Sequence, residues 1–427
     1  MAGGNFILSY CGSLTRSNPS QGRRWEEHLS RGAFCCGFAA VAASLVSIAA
    51  SQILLGLALA ALLAARRDWR FPPVAPPLAL FVAATLVAAA LSPDPAAALP
   101  QIRKLYVLTT LFVVYSSFRG AGAVSRLVTV LAVVGAASAA WGLAQFAGKW
   151  LEARELGLPF YTHYVGRRMT GFMSHWQTMG GGLMLVFLLW SARLLLDRWK
   201  SRRQRLAGAA AAALISAALV LGFTRNVWLG SFAGGLYLLW HWNRRVIWAV
   251  PVAAALVVAA GPEALRSRIV SLFQPHGEVD SNQHRIVTYR TGMRMIRAHP
   301  LFGVGPDQVD SRFEEFVPPD VPRPLPAGWY GHLHNVYLQY AAERGIPALA
   351  CFLWFVAVVM RDLLRSRRLH WYLHAAAAGV LAILVSGFFE MNLGDSEVLM
   401  LFLAVIAAAY SVRDAVRPSV EPEGGHG

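Results

Sequence analysis

Twelve apolar stretches, separated by short turns rich in arginine, follow one another along almost the whole chain. A helix needs about 20 mostly apolar residues to cross the hydrocarbon core of a bilayer. Hydrophobic residues make up 56% of the chain and charged residues only 15%, and a soluble fold has no core large enough to bury so much apolar side chain. The pattern therefore predicts an all-α, polytopic membrane protein with about twelve transmembrane helices.

The arginines and lysines of the short loops predict how this bundle is oriented. With twelve spans, the basic loops fall on one side, which the positive-inside rule makes the cytoplasmic side, together with both chain termini. We expect cytoplasmic tails at residues 1–32 and 412–427, and transmembrane helices in segments 33–260 and 334–411. The predicted spans are 33–49, 50–65, 75–91, 101–118, 124–146, 175–192, 206–222, 226–241, 245–260, 334–359, 371–389 and 395–411.

One long polar insert, residues 261–333, separates the ninth predicted span from the tenth and falls on the non-cytoplasmic side. Within it, Arg290, Arg294 and Arg297 recur on one face of a helical stretch, and Ile286, Met293 and Ile296 lie on another. This spacing predicts an amphipathic helix at the membrane surface. The helix is expected to end before a histidine–proline pair, and a proline-rich irregular segment should lead back to the membrane.

The composition also excludes several classes of function. The net charge is +16, but most of the basic residues lie in short loops, where they set orientation and contact the headgroups of membrane lipids. Nucleic acid is therefore not an expected partner. The four cysteines lack CxxC spacing, so neither a metal site nor a disulfide framework is indicated. A phosphate-binding Gly-Lys-Ser/Thr loop is absent from the sequence, which argues against ATP-driven transport.

Four residues at three places in the chain are the main candidates for chemistry. His334 stands where the insert re-enters the membrane, and a histidine there can act as a general base near neutral pH; the alternative is an interfacial histidine bonded to a backbone carbonyl. Arg225 joins two apolar spans with almost no loop between them, and it either binds an anionic partner or extends from a helix end to water. Arg285 and Arg290 either bind phosphates through bidentate hydrogen bonds or form a solvated helix face.

Other polar residues lie near the same predicted side of the membrane. His175 and Gln177 open one span and could bind a polar substrate or cap the helix. His332 could pair with His334 as zinc ligands, but no further ligands stand at metal-binding spacing, so no metal is expected. Weaker candidates, all in the turn before the last span, are Glu390, Asn392 and Asp395.

Three sequence motifs resemble those of a known family. The first is Thr224-Arg225-Asn226-x-Trp228-Leu229, between two spans. The second is Arg285 followed by Met295-Ile296-x-x-His299-Pro300-Leu301-x-Gly303-x-Gly305. The third is His334-Asn335-x-x-Leu338 followed by Glu343-x-Gly345. In this order, with twelve spans and one large late insert, they resemble the O-antigen ligase and polymerase superfamily of membrane glycosyltransferases.

The resemblance implies a specific reaction. Ligases of this family transfer a glycan from undecaprenyl pyrophosphate to the lipid A–core oligosaccharide, at the periplasmic face of the Gram-negative inner membrane, without metal or nucleotide cofactor. His334 would then be the base, and Arg225 and Arg285 would stabilise the pyrophosphate that leaves. Arg290 would support them, Asn335 would orient the region, and the anomeric centre would be inverted.

The resemblance leaves the acceptor open. Polymerases and protein O-oligosaccharyltransferases share these motifs and differ in what receives the glycan. A single large insert favours a ligase, although segment 148–174 could be a reduced first loop of a polymerase. A secondary transporter is a less favoured hypothesis, because the apolar spans carry few charged residues in their middles. A non-enzymatic scaffold for envelope assembly would tolerate changes at the candidate residues.

Overall fold

A computed structural model describes residues 19–66, 69–260, 266, 281–325 and 331–416. Helices dominate these ranges, and no strand occurs in them. The helices are α1 Pro19–Ala43, α2 Ile48–Ala65, α3 Ala75–Ala90, α4 Leu99–Lys104, α5 Thr109–Ser117, α6 Gly120–Glu155, α7 Phe160–Val165, α8 Trp176–Leu196, α9 Arg202–Leu221, α10 Arg225–Asn243, α11 Val250–Ala260, α12 Ser281–Ala298, α13 Phe313–Phe316, α14 Val336–Ser366, α15 Trp371–Ser386 and α16 Ser396–Val416. Four 3-10 turns join them, at Leu105–Leu108, Arg244–Ala249, Arg367–Leu369 and Asn392–Gly394.

Six helices of the described part are long and apolar enough to cross a membrane, namely α2, α6, α8, α9, α14 with the turn that follows it, and α16. Two shorter apolar helices, α3 and α15, accompany them. The predicted all-α class is confirmed for the described part. The count of twelve spans is not confirmed, because six helices of that part have the length and composition of a membrane span. The predicted span 101–118, for example, is divided into α4, a 3-10 turn and α5. Residues 1–18 and 417–427 of the predicted tails lie outside the described ranges.

Close packing of α10 against α15 fixes one side of the bundle. A Cβ atom added at Gly230 would lie 2.7 Å from the carbonyl oxygen of Ala382, and one at Gly234 would lie 2.8 Å from that of Ala378. Only glycine allows two helix backbones to approach this closely, a common feature of membrane helix pairs. The N-terminal end of α10 is thereby held beside the C-terminal end of α15.

A break in α14 joins the insert to the bundle. Gly345 adopts φ 82° and ψ 167° within this helix, a conformation that strongly favours glycine. The segment 299–305, here called the docking loop, packs into the break, where the Val304 N–H donates to the Ala342 carbonyl at 2.7 Å and the Ile346 N–H to the Pro300 carbonyl at 2.8 Å. Two of the three family-like motifs are therefore in direct backbone contact.

The predicted helix of the insert is present as α12, and it ends at Ala298, directly before the histidine–proline pair. The side of α12 that packs on the protein includes Val287 and Met295, whereas Ile286 and Met293 are exposed. Ile286 and Met293 thus face away from the protein, as a surface helix in contact with lipid would require. Ile296, predicted on the same face, is partly buried against the apolar cluster that contains Val287 and Met295. Segment 318–325 has no helix or strand, as the prolines predict.

Candidate active site

His334 stands in a constrained backbone conformation directly before α14. Its φ is 47°, which is uncommon for a residue other than glycine and occurs often at functional sites. Residues on both sides hold it in place. The Leu333 N–H donates to the Gln339 side chain at 2.7 Å, and Asn335 caps the helix by accepting from the N–H groups of Tyr337 and Leu338, each at 2.9 Å. The local structure therefore fixes the direction of the His334 side chain.

Glu390, in the turn between α15 and α16, binds the His334 ring. The His334 Nδ1 atom lies 3.1 Å and 3.2 Å from the two carboxylate oxygens, and the His332 Nε2 atom lies 3.2 Å from Oε1. Burial alone would raise the pKa of Glu390, but the hydrogen bond from His334 and the charges of both histidines hold the pKa below its ordinary value. The carboxyl is therefore ionised near neutral pH, so that His334 donates through Nδ1 and keeps Nε2 as its basic nitrogen.

A cationic pocket of about 180 Å³ lies against this pair. Its wall includes Arg168, Arg225, Arg285 and His284, with His334 at its edge. The His284 and His334 rings meet edge to face, with centroids 5.1 Å apart. Three guanidinium groups and the N-terminus of α10 in one small pocket form an arrangement suited to a phosphate or pyrophosphate.

Arg225 and Arg285, which belong to two of the three family-like motifs, reach this pocket from different helices. Arg225 is the first residue of α10 and is only 6% exposed. The next residue, Asn226, donates from Nδ2 to the Ser386 hydroxyl at 3.1 Å and so ties the start of α10 to the end of α15. Arg285 comes from α12, and its Nη2 atom donates to the Phe389 carbonyl at 3.3 Å. Both contacts lie within four residues of Glu390.

The same pair also lines a second, larger cavity of about 470 Å³. Four residues line both the cationic pocket and this cavity, namely Trp176, Gln177, His334 and Glu390. The Gln177 Nε2 atom donates to the Glu390 carboxylate at 2.7 Å. His334 therefore stands at the boundary between two compartments, where one group on each side can reach it.

The remaining predicted residues divide into those near the site and one away from it. His332 and His175 line the larger cavity, and His175 also caps α8 by accepting the Gln177 N–H at 3.2 Å. Asn335 lines neither compartment and contributes its cap. Arg290 is not brought to the site: its guanidinium forms two hydrogen bonds, at 2.8 Å and 2.7 Å, with Asp320 on the exposed side of the insert.

Sequence reasoning ranked Glu390 too low and left out Arg168 and His284. In the sequence, a carboxylate that follows an apolar span, such as Glu390, resembles an ordinary loop residue. Its partner His334 lies 56 residues away in the chain. The usable signal was the unusual density of polar groups in the turn before the last span. Arg168 stacks on Trp176, with its Cζ atom 5.1 Å from the ring centroid, but nothing in the spacing of the sequence indicates this contact.

The ligand types at His332, His334 and Glu390 could hold a metal ion, because their ligand atoms lie within 4.8 Å of one another. The hydrogen bond between His334 and the carboxylate and the contact of His332 with the same carboxylate account for this arrangement by themselves. The expectation of a metal-independent site therefore stays a prediction.

Comparisons with known proteins agree with the motifs. Residues 210–353 match the family model described as O-antigen ligase. This stretch contains Arg225, the insert with Arg285 and the docking loop, and His334 with the break in α14. A search of curated proteins found no match. From residue 210 to residue 353, this multi-pass membrane chain therefore carries a domain of the O-antigen ligase superfamily.

Proposed function

We propose that this protein is an O-antigen ligase, which transfers a glycan from undecaprenyl pyrophosphate to the lipid A–core oligosaccharide at the periplasmic face of the inner membrane. The observation that supports it best is the meeting of His334, Arg225 and Arg285 around one pocket, although 60 residues separate the two arginines in the chain. A general base beside three guanidinium groups suits a reaction whose leaving group is a pyrophosphate.

In the proposed step, an acceptor hydroxyl loses its proton to Nε2 of His334 while its oxygen attacks the anomeric carbon of the donor sugar. The bond between that carbon and the pyrophosphate oxygen breaks, and the anomeric centre is inverted. The products are the glycosylated acceptor and the lipid pyrophosphate, and the proton on His334 passes to water. Glu390 stabilises the imidazolium that forms during the step.

The arginines would act on the leaving group. Negative charge grows on the pyrophosphate as the bond breaks, and fixed cations in a partly buried pocket stabilise that charge more than they stabilise the intact donor. Arg225 and Arg285 are the proposed principal ligands, and Arg168 adds a third positive charge to the same wall. Because a pyrophosphate leaves readily once its charge is neutralised, the step needs no strong general acid.

Gel analysis of lipopolysaccharide in cells that lack their own ligase tests this proposal. Wild type and His334→Ala are expressed at matched membrane levels, with His370→Asn as a control. His370 caps α15 by accepting the Tyr372 N–H at 3.1 Å, and asparagine retains that cap. A general base contributes about 100- to 10,000-fold to a rate, so the ladder of glycosylated lipopolysaccharide should vanish with His334→Ala alone.

Two other outcomes would contradict the proposal. Full ligation by His334→Ala would remove the proposed base. Longer lipid-linked glycans with wild type, without a lipopolysaccharide ladder, would indicate a polymerase that uses the same pocket. If wild type forms neither product, the assay is repeated in the native host, because only that host supplies the sugars that match the protein.

A further inference from the structure

The two compartments beside His334 differ strongly in charge. Within the described residues, the cationic pocket carries three arginines against one carboxylate, Glu390. The wall of the larger cavity has the opposite character, with one lysine against five carboxylates, namely Asp307, Asp310, Glu343, Glu390 and Asp395. A single substrate with uniform charge cannot suit both compartments.

The lysine of the larger cavity is already engaged. The Lys104 Nζ atom donates to the Gly394 carbonyl at 3.2 Å, and it stands beside a wall whose carboxylates outnumber it. Asp307 and Asp310 are exposed at the docking-loop end of the cavity, and the Gln101 side chain donates to Asp307 at 3.1 Å. Glu343 is buried, and its Oε2 atom accepts no hydrogen bond although Arg344 lies 3.6 Å away.

We infer that the larger cavity is the acceptor subsite and that it takes a phosphate-free, polyhydroxylated saccharide. The inference rests on the proposed function, since that function assigns the pyrophosphate donor to the cationic pocket. Carboxylates accept hydrogen bonds from sugar hydroxyls without needing a counter-charge on the ligand. They repel phosphate groups, so the acceptor sugar and its nearest neighbours carry none.

The position of the cavity agrees with this role. Its volume of about 470 Å³ lies within the range of about 300–1,000 Å³ that is typical of ligand sites. His334 and Glu390 form part of its wall as well as that of the cationic pocket. A hydroxyl bound in this cavity would lie beside the proposed base, which also borders the pocket assigned to the leaving group.

Equilibrium binding tests the inference without depending on turnover. The probes are two delipidated core oligosaccharides that differ only in phosphate on the outer sugars, titrated into the purified full-length protein in detergent. Two unit charges about 4 Å apart in water change an equilibrium about fivefold. We therefore expect wild type to bind the phosphate-free probe at least about fivefold more tightly, and Asp307→Asn with Asp310→Asn to lose most of that preference.

The control is Asp94→Asn, an exposed aspartate that caps the turn before α4 and does not line the cavity; its preference should equal that of wild type. Equal binding of both probes to wild type, or an unchanged preference in the double variant, would overturn the inference. Transfer is measured separately on the same preparations. A protein that prefers the phosphate-free probe but transfers no glycan would refute the proposed reaction and retain the saccharide site.

Discussion

Replacing Glu390 by glutamine tests the proposed base through its partner. The substitution keeps the size of the side chain and removes its negative charge. Glu390 is only 6% exposed; it accepts hydrogen bonds from Gln177 and His334 and lies 3.2 Å from the His332 Nε2 atom. A glutamine has one acceptor oxygen in place of two, so its amide NH₂ must face at least one donor. The variant therefore loses a charge-assisted hydrogen bond and leaves a donor poorly matched.

The size of the effect follows from the charge that His334 acquires. During transfer the ring takes the acceptor proton, and its Nδ1–H group then donates from a cation to a carboxylate. Hydrogen bonds to charged groups contribute about 1.5–3 kcal/mol, and each 1.36 kcal/mol changes a rate tenfold. Because the contact strengthens as the ring becomes charged, kcat for Glu390→Gln should fall about 10- to 150-fold. KM for either substrate should change little.

The assay is the initial rate of glycan transfer by purified protein, with thermal unfolding in detergent to show that the variant folds. Glu314→Gln serves as the control, because Glu314 pairs with Arg323 in the insert, 2.7 Å away, and lines neither compartment. A folded Glu390→Gln protein with the kcat of wild type would refute the argument, since neither the orientation nor the charging of His334 would then depend on this carboxylate.

Four further predictions follow from particular contacts. Arg285→Ala should lower kcat/KM for the donor at least tenfold in transfer assays, whereas Arg290→Ala, five residues along the same helix, should stay within about twofold because its partner lies outside the pocket. Gly345→Ala should lower the unfolding temperature and the transfer rate, because a Cβ there would lie 2.0 Å from the Leu301 carbonyl oxygen, whereas Gly235→Ala, with open space around it, should do neither. The pKa of Glu390 is lowered from its ordinary value of 4.5, so the ionised carboxylate stabilises the fold above about pH 4.5. This stabilisation is lost as the pH falls through the lowered pKa. Wild type should therefore lose thermal stability below about pH 4.5 more steeply than Glu390→Gln. Treatment with EDTA should leave the transfer rate unchanged, since the proposed step needs no metal; a loss restored by Zn²⁺ would contradict it.

Hydropathy predicted the helices well because a membrane allows few alternatives. Backbone groups in a bilayer must be satisfied within each segment, so a long apolar run becomes a helix whatever surrounds it. Breaks within helices were harder to predict. The run 101–118 contains the 3-10 turn Leu105–Leu108, and α14 is kinked at the non-helical Gly345. Both departures depend on neighbouring chain segments, which periodicity along a single segment does not report.

The candidate site was predictable in part for a similar reason. Arg225, Arg285 and His334 stand in short motifs with recognisable residues, and each lies at the end of a helix on the same predicted side of the membrane. Arg290 matched Arg285 in type, but five residues along an α-helix place it about 140° away around the helix axis, where it pairs with Asp320. Whether an arginine faces a pocket or a carboxylate is decided by the fold of the proline-rich segment, where the sequence has no periodicity to follow.

The assembly point of the site lies in a segment that none of the motifs includes. The turn at residues 386–390 accepts a hydrogen bond from each motif. The Ser386 hydroxyl accepts from Asn226. The Phe388 carbonyl accepts from Asn335 at 3.1 Å, and the Phe389 carbonyl accepts from Arg285. One short turn thus binds all three motifs, and its last residue, Glu390, binds the histidine. Two of these contacts use backbone carbonyls, which every residue type supplies, so the turn needs no distinctive sequence in order to hold the site together. Its conformation, rather than its side chains, sets the distance between the arginines and the base, and substitutions that bend this turn should impair transfer even where they touch no motif residue.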